Sequence, residues 1–164
     1  MKSPIAIKQQ GVSLIELLLV MFLVGLMVTW GRQGWYRHQQ REQLVTNAQQ
    51  LLAFLTRIKA DADWHNHTIL LWVQHSGRGC LGSREILAAA CEGRTDNVFI
   101  PSGNISLSAT AQNEMGFYGR RNTAQPGHFT LVNSAGRIQL VISNRGRMRL
   151  CSEDKSIAGI GRCH

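Results

Sequence analysis

"IKQQGVSLIELLLVMFLVGLMV", residues 7–28, decides how the chain must be read. From Leu17 to Val28 every residue is apolar or glycine, with Lys2 and Lys8 ahead of the run and Trp30, Trp35 and Tyr36 behind it. A core helix of a small domain keeps one wet face, and this run has none. With Leu14, Ile15, Thr29 and Trp30 it approaches the ~20 apolar residues that cross a bilayer. No small-residue cleavage site follows, and the aromatic residues beyond suit a headgroup boundary rather than a removed secretory signal. Its one charge is Glu16, and a carboxylate in hydrocarbon is costly enough to be paired or functional as a rule. The expectation is a transmembrane helix over 12–31.

Beyond it the pattern changes character without a forced break. No proline occurs between Pro4 and Pro101, although Gly31 and Gly34 weaken the join. Leu44, Val45, Ala48, Leu51, Leu52, Leu55, Ile58 and Ala62 recur at helical steps, with Arg41, Glu42, Asn47, Gln50, Arg57 and Asp61 between them. This is an amphipathic helix, expected over 32–62 with Asn47 on its wet side. An unbroken helix from 12 to 62 would be on the order of 75 Å long.

The remainder, 63–164, reads as short strands: "TILLWV" at 68–73, "DNVFI" at 96–100, "ISLSA" at 105–109, "MGFY" at 115–118, "GHFTLV" at 127–132, "RIQLVIS" at 137–143 and "RMRLC" at 147–151. The breaks "HSGRG", "PSGN", "NSAGR" and "SNRG" are rich in residues that tolerate turn geometry. The last strands form an antiparallel meander in this reading, with Phe129, Leu131, Ile138, Leu140, Ile142, Met148 and Leu150 covering the Leu44 to Ala62 stripe. The fold class is α+β, a long N-terminal helix packed on an antiparallel β-sheet domain.

The cysteines, not the charges, place this head outside the membrane. The formal net charge is +8, of which residues 115–164 carry +6, eight Arg/Lys against Glu153 and Asp154. Such a balance favours anionic partners without choosing among them. Arg32, Arg37 and Arg41 follow the apolar run, so the flanking charges do not favour export of the C-terminal part, whereas the cysteines do. Cys80, Cys91, Cys151 and Cys163 allow three pairings, which spacing does not decide. Pairing of neighbours would close small loops of the kind that staple an exported domain. Neither close pair is a CxxC, and no GxSxG, HExxH, phosphate loop or paired carboxylates are found, so no enzymatic activity, cofactor or metal is expected. His65, His67 and His75 lie near Asp61 and Asp63, with no third metal ligand fixed by spacing.

Glu16 has an obvious counter-charge only if the chain is cut. Cleavage between Gly11 and Val12 would set a new α-amine four residues before Glu16, on the same helical face. "KQQGVSLIELLLVMFLVGLMV" resembles the leader region of type IV prepilins and of the pseudopilins of type II secretion: a basic leader, Gly11 before the cut, Ser13, then Glu16 as the fifth mature residue and an apolar stretch. Downstream, "MGFYGRRNTAQPGHFTLVNSAGRIQLVISNRGRMRLC" is similar to the last strands of minor pilins of the GspH/FimT type, with Gly146-Arg147 opening a late strand. The sequence departs from the pattern in placing Val12 where mature pilins most often begin with phenylalanine.

The resemblance implies a cleaved leader over 1–11, removed by a prepilin peptidase, and N-methylation of Val12. It implies Glu16 in assembly, where its carboxylate offsets the amine of a neighbouring subunit. The implied partners are the peptidase, other minor pilins, a major pilin and the inner membrane, with the head in the periplasm. The implied role is a minor pilin that helps initiate or cap a type IV pilus, the alternative being a type II secretion pseudopilin. Relatives of the FimT type add weak DNA binding, for which Arg120, Arg121, Arg145, Arg147 and Arg149 are the residues to examine.

Overall fold

The structure, a computed structural model, describes residues 13–75, 77–83, 91, 97–110, 115–154, 157 and 159–163, with the backbone alone at 29–33. The expected leader and the junction at Gly11 and Val12 lie outside the described residues. Two compact units are present, Met1–Arg37 and His38–His164, and helix α1 (Leu14–His65) contributes to both. Gly31 and Gly34 do not interrupt it. The Ser13 carbonyl opens α1 by accepting the N–H groups of Glu16 (2.9 Å) and Leu17 (3.2 Å).

In the first unit every described side chain from Leu14 to Val28 is exposed, Phe22 by 65% and Met27 by 75%. Among the described residues no helix is long and apolar enough to cross a membrane.

In the second unit α1 supplies the predicted stripe. Leu44, Val45, Ala48, Leu51, Leu55, Ile58 and Ala62 are buried. Each large one contributes about 1.5–3 kcal/mol by leaving water. Asn47 departs from expectation: it is only 1% exposed, inside the stripe rather than opposite it. The reason is a partner distant in sequence. Its side-chain amide donates to the Gln43 carbonyl (2.8 Å) and Ser102 Oγ (3.0 Å), and its Oδ1 accepts the Ser102 N–H (2.8 Å).

The strands form two antiparallel sheets. The first is ordered β3 (Val98–Phe99), β2 (Cys80–Ser83), β1 (Thr68–Gln74), β5 (Gly116–Tyr118), β6 (Thr123–Ala124). The second is ordered β4 (Ser106–Ala109), β7 (Gly127–Asn133), β8 (Gly136–Ile142), β9 (Met148–Ser152). The β7–β8–β9 meander is the one the turn residues predict, in registers Phe129 to Leu140 and Leu140 to Leu150. Strands β2 and β6 were not expected. In β2 Cys80, Leu81, Gly82 and Ser83 are all buried, so the sequence shows no alternation there; Leu81 enters the core and the Trp72 indole lies over Gly82.

The two sheets are tied where their margins meet. The Leu107 N–H on β4 donates to the Arg78 carbonyl (2.8 Å), and the Ala124 N–H on β6 donates to the Asn144 carbonyl (2.9 Å). Ile69, Leu71, Leu81 and Phe117 of the first sheet share one apolar cluster with Leu107, Phe129, Leu131, Ile138, Leu140 and Ile142 of the second and with the α1 stripe. Disulfides join Cys80 to Cys91 and Cys151 to Cys163.

Candidate assembly surfaces

Glu16 stands on the first turn of α1, exposed, among exposed apolar side chains. A carboxylate there is favoured by the helix dipole, because the first-turn N–H groups carry partial positive charge. Leu14, Ile15 and Leu17–Met21 around it present apolar surface to every side. Helix surface of that kind is stable only in contact with lipid or with other apolar helices. Arg37, Arg41 and Glu42, farther along α1, are exposed.

The arginines singled out in the sequence occupy two turns and an edge strand of the second unit. Arg120 and Arg121 lie on a 3-10 turn, η1 (Gly119–Arg121), which Asn122 ends in the left-handed conformation. Gly119 sits directly against the Ala62 and His67 carbonyls, so this turn is seated on the end of α1. Arg145 and Arg147 lie on the β8–β9 turn. There the Gly146 N–H donates to the Ser143 carbonyl (2.8 Å) and the Ser143 N–H to the Arg147 carbonyl (2.9 Å). Arg149 is on β9. All five are exposed, and the Ala124 to Asn144 hydrogen bond draws the two turns together. Arg137 instead faces Glu153 at 3.5 Å.

One feature of this end was missed in the sequence. Trp64, in the last turn of α1, is 84% exposed, an aromatic ring on the helix end on which the Gly119 turn is seated. Its signal was available: it falls off the apolar stripe, where an indole has nothing of its own chain to cover it.

His65 Nδ1 lies 2.9 Å from Asp61 Oδ1, and the His65 and His67 rings are 5.7 Å apart. Among the described residues no group of three metal-capable side chains converges. A cleft of about 750 Å³ lies beside Gln50, Arg57, Arg78, Phe99 and Ser102. Its described lining includes no carboxylate, histidine or free thiol.

Residues 7–30 match the family of the prokaryotic N-terminal methylation motif. The fold is similar to that of the minor pseudopilin EpsH from the type 2 secretion system of Vibrio cholerae, with a TM-score of 0.54 at 10% identity over 69% of this chain and 99% of that one. No curated protein matches the chain in sequence. The N-terminal segment therefore carries the prokaryotic methylation motif, and the fold is α+β, similar to that of the minor pseudopilin EpsH.

Proposed function

We propose that the chain is a minor pilin, matured by a prepilin peptidase, that helps initiate or cap a type IV pilus. The observation that carries this is the pairing of a methylation motif over 7–30 with a helix start whose described apolar residues are all exposed around the single charge of Glu16. In this reading the peptidase cuts between Gly11 and Val12, and Val12 is methylated. The apolar start of α1 sits in the inner membrane until it is handed to a bundle of like helices, made by other minor pilins and the major pilin. Glu16 then offsets the amine of a neighbour, a strong interaction where water is excluded. The head, with its two disulfides, belongs in the oxidising periplasm. Assembly within a type II secretion pseudopilus is the alternative, favoured by the likeness to EpsH.

Mass spectrometry of the membrane-extracted protein tests the reading. From cells containing the peptidase the chain should begin at Val12. Replacement of Gly11 by a bulky residue should leave the leader attached and keep the protein out of pili. A wild-type chain beginning at Met1 in those cells would sink the proposal.

A second reading adds weak DNA contact to the same subunit. It is favoured by Arg120, Arg121, Arg145, Arg147 and Arg149 being exposed on neighbouring turns and on β9, with Trp64 available for stacking. Charge reversal at Arg120 and Arg121 should weaken binding and flatten its salt dependence.

A further inference from the structure

The margin of the second sheet is half occupied. Along β9 the backbone groups of Arg147, Arg149 and Cys151 face β8, as shown by the Ser143 N–H to Arg147 carbonyl bond (2.9 Å), by the register Val141 to Arg149 and by Gln139 to Cys151. Successive residues of a strand turn their N–H and C=O to opposite sides. Met148, Leu150 and Ser152 therefore face outward. Ser152 is already paired by the tail: its N–H donates to the Gly161 carbonyl (2.8 Å) and its carbonyl accepts the Cys163 N–H (3.0 Å), a parallel bridge beside Arg162. Leu150 and Met148 have no backbone partner on that side among the described residues.

We infer that this open stretch, Met148 to Leu150, is a docking edge for an extended acidic segment of another protein, which adds a strand to the second sheet. The chain's own tail demonstrates that the edge accepts a strand, and the Cys151–Cys163 disulfide ties that tail beside Ser152. The side chains bordering the vacant positions are Arg147, Arg149 and Arg162, all exposed. Only Arg137 among the basic residues of this sheet has a described carboxylate partner, Glu153. Strand addition draws affinity from main-chain hydrogen bonds and specificity from the alternate side chains, so a strand with carboxylates at every second residue fits these arginines.

A second copy is the wrong occupant. Two β9 edges pairing with each other would set arginine against arginine, and like charges directly opposite are destabilising. On the other margin, β4, the Leu107 N–H is already given to the Arg78 carbonyl. Charged edges of this sort suppress self-pairing in natural sheets. Here the same charges select a partner of opposite sign. Nucleic acid could meet the arginines but offers no ladder to the Met148 and Leu150 amides, so the exposed backbone favours a polypeptide. The inference does not depend on the pilin reading, since it concerns the folded head alone.

The test uses the full chain in detergent micelles with its disulfides intact. The probes are a short peptide alternating threonine and glutamate, its lysine-for-glutamate counterpart, its backbone N-methylated analogue and a thymidine oligonucleotide. Amide exchange at Met148 and Leu150 is followed by NMR. The acidic peptide, at about millimolar concentration, should slow exchange at both amides by about tenfold or more, and the lysine and N-methylated peptides should not. Arg149→Glu, whose side chain is exposed, should weaken acidic-peptide binding about tenfold and leave the thermal melt unchanged. Equal binding by the N-methylated peptide would overturn strand addition. So would a silent acidic peptide beside an oligonucleotide that shifts the arginine signals.

Discussion

Asn47 on α1 and Ser102 in the loop before β4 hold each other through three contacts: Nδ2 to Ser102 Oγ at 3.0 Å, the Ser102 N–H to Oδ1 at 2.8 Å, and Ser102 Oγ to Oδ1 at 3.2 Å. They are 55 residues apart in sequence. Leucine at position 47 would suit the apolar stripe by type yet leave the Ser102 N–H without its acceptor. Asn47→Leu should destabilise the head by about 1–3 kcal/mol. Thermal melts in detergent check it, and a variant as stable as wild type would show the clamp to be dispensable.

Gly119 offers a sharper steric prediction. A Cβ there would fall against the Ala62 carbonyl and within 3.0 Å of the His67 oxygen, both backbone atoms that cannot step aside cheaply. Gly119→Ala should cost about 1–3 kcal/mol. Gly34→Ala is the control, since nothing lies within 4 Å of its added Cβ and helix propensity favours alanine by about 0.5–1 kcal/mol. Denaturant titrations of the two variants should move in opposite directions.

The disulfides close loops of separation 11 and 12. Removing either by paired Cys→Ser substitution should lower stability by about 2–4 kcal/mol. Loss of Cys151–Cys163 should also release the tail from Ser152. Limited proteolysis should then cut near Gly161 in that variant and spare the variant lacking Cys80–Cys91.

Glu16→Leu separates anchor from assembly residue. Leucine removes the cost of a carboxylate in hydrocarbon, so membrane insertion should be unchanged or improved. A pilin should nonetheless lose initiation, because the neighbouring amine loses its counter-charge, and Glu16→Gln should lose it too if charge rather than polarity matters. Surface pili counted in strains carrying each form, with co-purification of other minor subunits, decide the matter. Equal counts for wild type and Glu16→Leu, where the protein is required for pili, would refute a role for the glutamate.

What could be read from the sequence was what is local. The stripe from Leu44 to Ala62 and the meander from Gly127 to Ser152 are written in periodicity and in turn residues, and the structure reproduces both. Strand β2 was illegible because Cys80 and Gly82 break any alternation, and its place depends on Trp72 of a neighbouring strand lying over Gly82. Asn47 was misplaced for the same reason, since its burial is permitted by a loop far along the chain. Of the surfaces, the arginines were visible by type. Their meeting through Ala124 and Asn144, and the open backbone between them, depend on how two sheets close on each other.

The shared apolar cluster also imposes an order in time. The stripe on α1 is made early in synthesis, while many of the side chains that cover it, from Phe129 through Ile142 to Ile157, come last. Until then Leu44, Leu51 and Leu55 have no permanent cover, and a nascent chain in that state is prone to aggregate. The head can therefore close only after its far end, with the Cys151–Cys163 pair, has been made. Closure of the core waits on the last strands, not on local helix formation.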